Sequence, residues 1–252
     1  MSDAPSHAPA APAASAPPIP PGPRPAPGPA WRSILALLLL VPAPTLGVLL
    51  GLTEEPTALS MAAFAGKKVW ILALPITWLL LVDRARPRLP RPTRRGLAIG
   101  LGSGVAVFAV IVAAYVLVRG LWIDPGPVRD KLAALGLGNP LTYLAGALYW
   151  TLLNSLLEEY VWRWFTFTRC LRLMPMLAAA ALSGTLFATH HVFALHYYFD
   201  WPIVLLGSLG VFVGGAFWCW LYAVTRDLWG AWLSHVLADA AIFAIGAHLL
   251  FA

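Results

Sequence analysis

The sequence predicts an all-α, polytopic transmembrane helical bundle of about seven spans, with a polar cavity inside the membrane. Three observations carry that expectation. Of 252 residues, 60% are hydrophobic and only 11% are charged, whereas soluble domains are nearer 45–50% apolar and about 25% charged. The apolar residues gather into stretches close to the roughly 20 residues that cross a hydrocarbon core as a helix. Inside three of those stretches sit ionisable groups: Glu158, Glu159 and Arg163, then His190 and His191, then His235 and Asp239. An ionised side chain at mid-membrane costs roughly 2.5–3.5 kcal/mol on insertion scales, so such groups belong in a bundle interior or a wet cavity.

In chain order, residues 1–30 are almost entirely Pro, Ala, Ser and Gly. A segment of that composition cannot bury a core and is expected to be a disordered tail. It lacks an apolar h-region and is not expected to be a signal peptide. Residues 31–252 form the integral membrane domain. Its expected spans are 31–52, 69–82, 97–118, 141–167, 174–197, 202–224 and 228–251. The second is short, and Lys67 and Lys68 are expected to snorkel to the interface at its start. Residues 129–137 are expected to form a short interfacial helix; an eighth, re-entrant or amphipathic segment is the alternative there.

The net charge of +6 does not signal nucleic acid. Arg84, Arg86, Arg88, Arg91, Arg94 and Arg95 crowd one connection, as the positive-inside rule expects of a cytoplasmic loop. Binding of anionic lipid headgroups is a further reading of that cluster. With this loop inside, Arg32, Arg169, Arg172 and Arg226 share its side, while Lys67, Lys68, Arg119, Arg129 and Lys131 fall outside. The N-terminus is then cytoplasmic. Cys170 and Cys219 have no ligand-like spacing and are expected to be reduced packing residues. No internal repeat suggests a transporter built of inverted halves.

Residues four apart share a helix face, and Glu before Arg is the favourable order. Glu159 and Arg163 are therefore expected to pair. Glu158, about 100° around the helix, has no partner in local sequence and faces the cavity. A carboxylate so placed is suited to take a proton from water. The bland alternative is an ion pair that serves only packing. His190 and His191 point to different faces, so one of the two is expected to join the site. His235 and Asp239 again lie four apart on one face. On rise alone, Glu158 and His191 reach similar depth, whereas His235 matches them only if the 226–227 turn dips into the protein or the last helix tilts.

The motifs Glu158-Glu159-Tyr-Val-Trp-Arg163, Phe187-Ala-Thr-His-His191 and His235-Val-Leu-Ala-Asp239 resemble EExxxR, FxxxH and HxxxN/D of the CPBP family. That family comprises CAAX prenyl proteases of the Ras-converting type and bacteriocin-processing or Abi-type relatives, and the resemblance covers residues 141–245. It implies an intramembrane endopeptidase of the glutamic type. Glu158 would activate the attacking water with help from His191, with His190 as the alternative histidine. Glu159 and Arg163 would orient the cluster, while His235 and residue 239 would stabilise the oxyanion. Asp239 departs from the Asn common in the family. An ionised Asp cannot donate a hydrogen bond, so it would act by holding His235 as the charged donor.

No cofactor is expected. Zinc held by Glu158, His191 and His235 is the metal-dependent alternative. The expected partners are the lipid bilayer and a membrane-associated peptide or protein substrate, with no nucleic acid; the expected place is a bacterial inner membrane. A proton-coupled transporter using Glu158, Glu159, His191 and His235 as a relay, and a non-catalytic immunity or scaffold protein, are the competing readings.

Overall fold

The computed structural model describes residues 29–52, 57–88 and 90–252, without the side chain of Phe64. The expected disordered tail lies outside these residues, apart from its last two positions. Every regular element among the described residues is helical, so the all-α membrane bundle is what the chain forms. Helix α1 spans Ala30–Gly51, interrupted at Val41 ahead of Pro42; α2 spans Ala58–Val82 and α3 Arg94–Trp122. The short α4 is Pro125–Ala134. Helix α5 runs over residues 140–170, and α6 (Met176–Tyr198), α7 (Trp201–Thr225) and α8 (Leu228–Phe251) complete the bundle. Six of these, all but α4 and α5, are long and apolar enough to cross a membrane by length and composition.

Local chemistry sets the helix starts. Asp124 and Asn139 cap α4 and α5, each followed by Pro at a position where no intrahelical donor is needed. Thr93 caps α3 and Asp227 caps α8. Thr57 caps α2 in a reciprocal box with Ser60: Ser60 N–H donates to Thr57 Oγ1 at 3.1 Å, and Thr57 N–H to Ser60 Oγ at 2.8 Å. That box overturns the expected start of the second span. The helix begins at Ala58 rather than near residue 69, so Lys67 and Lys68 lie inside it and not at an interface. The short helix expected at 129–137 is present as α4, shifted toward its Pro125 start.

Two polar faces cap the bundle. On one, the Arg32 guanidinium approaches Val82 O at 3.4 Å, Arg169 pairs with Asp83, Trp164 Nε1 donates to Arg88 O and Trp229 Nε1 to Pro90 O. On the other, Arg129 Nε donates to Leu249 O at 2.6 Å and Lys131 Nζ to Tyr197 O. Arg32 and Arg169 thus share one end of the bundle and Arg129 and Lys131 the other, whereas Lys68 reaches Asn154 in the interior.

Helix α8 is seated on α3 through small residues. A Cβ at Gly100 would meet Gly230 O at 2.3 Å, and one at Gly230 would meet Gly96 O at 2.4 Å. Neither position tolerates a side chain without moving backbone. At the end of this seam the Asp227 carboxylate receives Thr93 N–H, the Thr93 hydroxyl and Gly230 N–H, joining the starts of α3 and α8. Thr225, Asp227 and Leu228 at the turn into α8 are buried, at 8%, 0% and 4% exposure. Arg226 between them stays exposed, and the bond from His235 to Glu159 shows that the two groups meet.

Helix α5 departs most from regular winding. π turns at Tyr149–Asn154 and Tyr160–Phe167 flank the single α turn Ser155–Glu159. π segments redirect side chains and free carbonyls, and they concentrate at functional sites. Here Trp232 Nε1 of α8 reaches the Leu152 carbonyl and Ser155 Oγ, each at 3.1 Å.

Candidate active site

The site is assembled where α5 meets α6, α7 and α8, with α2 closing one side. Glu159 and Arg163 form the expected pair, Nη1 to Oε1 at 3.1 Å, with neither side chain exposed. The guanidinium is also held over the rings of Phe187 (4.6 Å) and Trp218 (4.9 Å). His235 stacks on Trp218 with ring centroids 4.1 Å apart, and its Nδ1 bonds Glu159 Oε1 at 2.8 Å. The Trp218 indole N–H in turn donates to Ser234 Oγ at 3.0 Å. Since Glu159 receives the Nδ1 proton, the other nitrogen of His235, Nε2, is the one presented to the cavity.

That nitrogen lies 3.7 Å from Glu158 Oε2 and 3.6 Å from Asp239 Oδ1. The two carboxylates remain partly open, at 19% for Glu158 and 24% for Asp239, against 0% for Glu159. The adjacent glutamates are therefore unlike: one is locked behind His235 by Arg163, the other faces the cavity.

The two α6 histidines do not separate as expected. His191 Nδ1 is bonded to Phe187 O at 3.0 Å, leaving Nε2 available. His190 stacks on Trp162, and its buried Nδ1 has no protein partner. Their rings lie 4.1 Å apart, and ligand atoms of Glu158, His190 and His191 fall within 4.8 Å of one another. Both histidines thus stand at Glu158. His235 does not join that grouping. The structure offers Glu158, His190 and His191 as a metal-ligand set, in place of the expected Glu158, His191 and His235.

Two residues not predicted for the site complete it. Asn154, one turn before Glu158, donates from Nδ2 to Glu158 Oε1 at 2.8 Å, and Lys68 Nζ of α2 donates to Asn154 Oδ1. The i, i+4 spacing of Asn154 and Glu158 was available in the sequence. The reach of Lys68 was not, because the apolar pattern alone starts α2 near residue 69 whereas the helix begins at Ala58.

A bundle of membrane-length apolar helices that encloses paired glutamates, histidines and an arginine defines a multi-pass membrane protein with a polar interior site. Comparison with known families gives one match: residues 140–241 match the model for Type II CAAX prenyl endopeptidase Rce1-like, to which this motif-bearing segment is similar. The match contains all three motifs from Glu158 to Asp239 and is consistent with the CPBP resemblance. No curated protein and no solved structure matches the chain.

Proposed function

We propose that this chain is an intramembrane endopeptidase that hydrolyses a peptide bond in a membrane-associated tail, with Glu158 as the base for water. The observation that carries the reading is the partly open Glu158 carboxylate among three imidazoles, inside the segment matched by the protease family. A cavity of about 40 Å³, lined in part by Glu158, His190, Asn154 and Lys68, exceeds the ~10–15 Å³ that one water needs.

Glu158 takes a proton from water as the oxygen attacks the scissile carbonyl carbon. The negative charge then forming on the carbonyl oxygen is met by the Nε2 proton of His235. Collapse of the tetrahedral intermediate breaks the C–N bond, and the proton held by Glu158 passes to the departing amine. Glu159 keeps the Nδ1 proton of His235 in place, and Asp239 supports the charged ring from its other side. His191 Nε2 is free to accept a hydrogen bond from the water. The family name points to prenylated C-terminal tails as one substrate class; other membrane-tethered peptides fit the same cavity.

The donor set also suits zinc. Glu158, His190 and His191 would hold the ion with a position left open, where a bound water is more acidic. The metal-free route is the one proposed here. Purified protein should retain full activity after exhaustive chelation; activity lost on chelation and restored specifically by zinc would overturn it.

The test of function is a comparison of membrane proteomes from cells expressing wild type or Glu158→Gln. Uncleaved precursors should accumulate with the variant. Their absence, together with a proton-dependent flux, would favour a transporter. For Asp239, the Asn variant should keep much of the cleavage rate, because Asn can still hold or replace the donor. Asp239→Ala should lose most of it, and equal, complete loss in both would sink the assigned role.

A further inference from the structure

Lys68 is an anomaly of placement. It is the eleventh residue of Ala58–Val82, about 15 Å along the helix at 1.5 Å per residue. An ammonium there is beyond easy snorkelling and carries a cost of roughly 2.5–3.5 kcal/mol unless it is compensated. The fold directs it inward, onto Asn154. Asn154 is 5% exposed and is connected onward to Glu158. Lys68 and Glu158 also interact electrostatically.

We propose that Lys68 is a positioning residue that acts through Asn154 to select which oxygen of Glu158 serves as the base. The logic is one of donors and acceptors. A lysine can only donate, so it must meet the amide oxygen of Asn154. The amide is thereby fixed with its NH₂ toward Glu158, which accepts on Oε1. Oε1 is thus occupied, and Oε2, the oxygen nearer His235 Nε2, is left for water. Without the lysine, the Asn154 amide loses the contact that sets its orientation. Its flipped form would set a carbonyl oxygen against the carboxylate. This proposal rests on the peptidase reading of Glu158, and it assigns to α2, which lies outside the matched segment, a direct part in arranging the site.

The test has a readout that needs no substrate. The chain has two asparagines, Asn139 and Asn154, so selective ¹⁵N-Asn labelling of the detergent-solubilised full chain resolves the Asn154 amide by NMR. Glu158→Gln should shift that amide. Lys68→Met should shift it too and speed its proton exchange, and Lys68→Arg should return it most of the way. An Asn154 signal unchanged by Lys68→Met would overturn the proposal.

The second readout is the cleavage rate, by pulse–chase, of a precursor that accumulates with Glu158→Gln. A loss on the order of 10- to 100-fold is expected for Lys68→Met, the scale set by sub-ångström to 1 Å misplacement of a catalytic group. Substantial rescue is expected in Lys68→Arg. The double variant Lys68→Met/Asn154→Leu should be no slower than Asn154→Leu alone, since both act through one chain of contacts. Additive losses, or equal loss in the Met and Arg variants with folded yield retained, would refute it. If Lys68→Met fails to fold, the Arg variant and Asn154→Leu carry the comparison. Absence of any Glu158-dependent precursor would refute the peptidase reading instead, while the amide signal would still report on the contact itself.

Discussion

Glu158→Gln should abolish proteolysis and leave the protein folded in the membrane. The variant keeps nearly the volume of the carboxylate and can still accept from Asn154, so the packing around α5 has no reason to change. It removes the group that takes the proton from water, and general-base catalysis is typically worth 10²–10⁴-fold. The cleavage rate of an accumulating precursor should therefore fall by about two to four orders of magnitude. The thermal unfolding midpoint in detergent should stay close to wild type. A variant that unfolds, or one that cleaves at the normal rate, contradicts the assignment of the base.

Arg163→Met should fail in the opposite way. The guanidinium is fully buried against Glu159, between Phe187 and Trp218. Its removal strands a carboxylate with 0% exposure, and breaking one side of such a pair costs about 3–5 kcal/mol. Loss of folded yield and a lowered unfolding midpoint should precede any question of activity. Adding Glu159→Gln removes the stranded charge, so the double variant should regain much of the stability. It should remain slow, because the charge that holds the Nδ1 proton of His235 is gone. If the double variant is no more stable than Arg163→Met, the pair is not what organises this core.

How much of this was legible in the sequence depended on whether the relevant partner was local. Glu159–Arg163 and His235–Asp239 followed from helical periodicity, since both members of each pair lie on one element. Six membrane-length helices followed from length and composition, one of them with its start misjudged, while the expected span at 141–167 is the π-interrupted α5. The bond from His235 to Glu159 joins α8 to α5, and no single-helix pattern says which faces of two helices meet. The π turns in α5 were equally hidden: 3.6-residue periodicity assumes regular winding, while this helix departs from it on both sides of Glu158–Glu159. Lys68 was misplaced for a simpler reason. Two lysines before an apolar run look like an interfacial anchor, and the signal against it was the Thr57-x-x-Ser60 box eleven residues earlier, a polar pair easily passed over in an Ala-rich segment.

The glycine seam between α3 and α8 has a mechanical consequence. Where backbone meets backbone at Gly96, Gly100 and Gly230, there is no side chain that can change rotamer to let one helix slide past the other. The two helices are latched at the end nearest Asp227, and His235 rides on the latched part. Parting that seam would cost the position of His235. The position of His235 is thereby fixed by backbone contact rather than by side-chain packing, and it can shift only if α3 and α8 move as one piece.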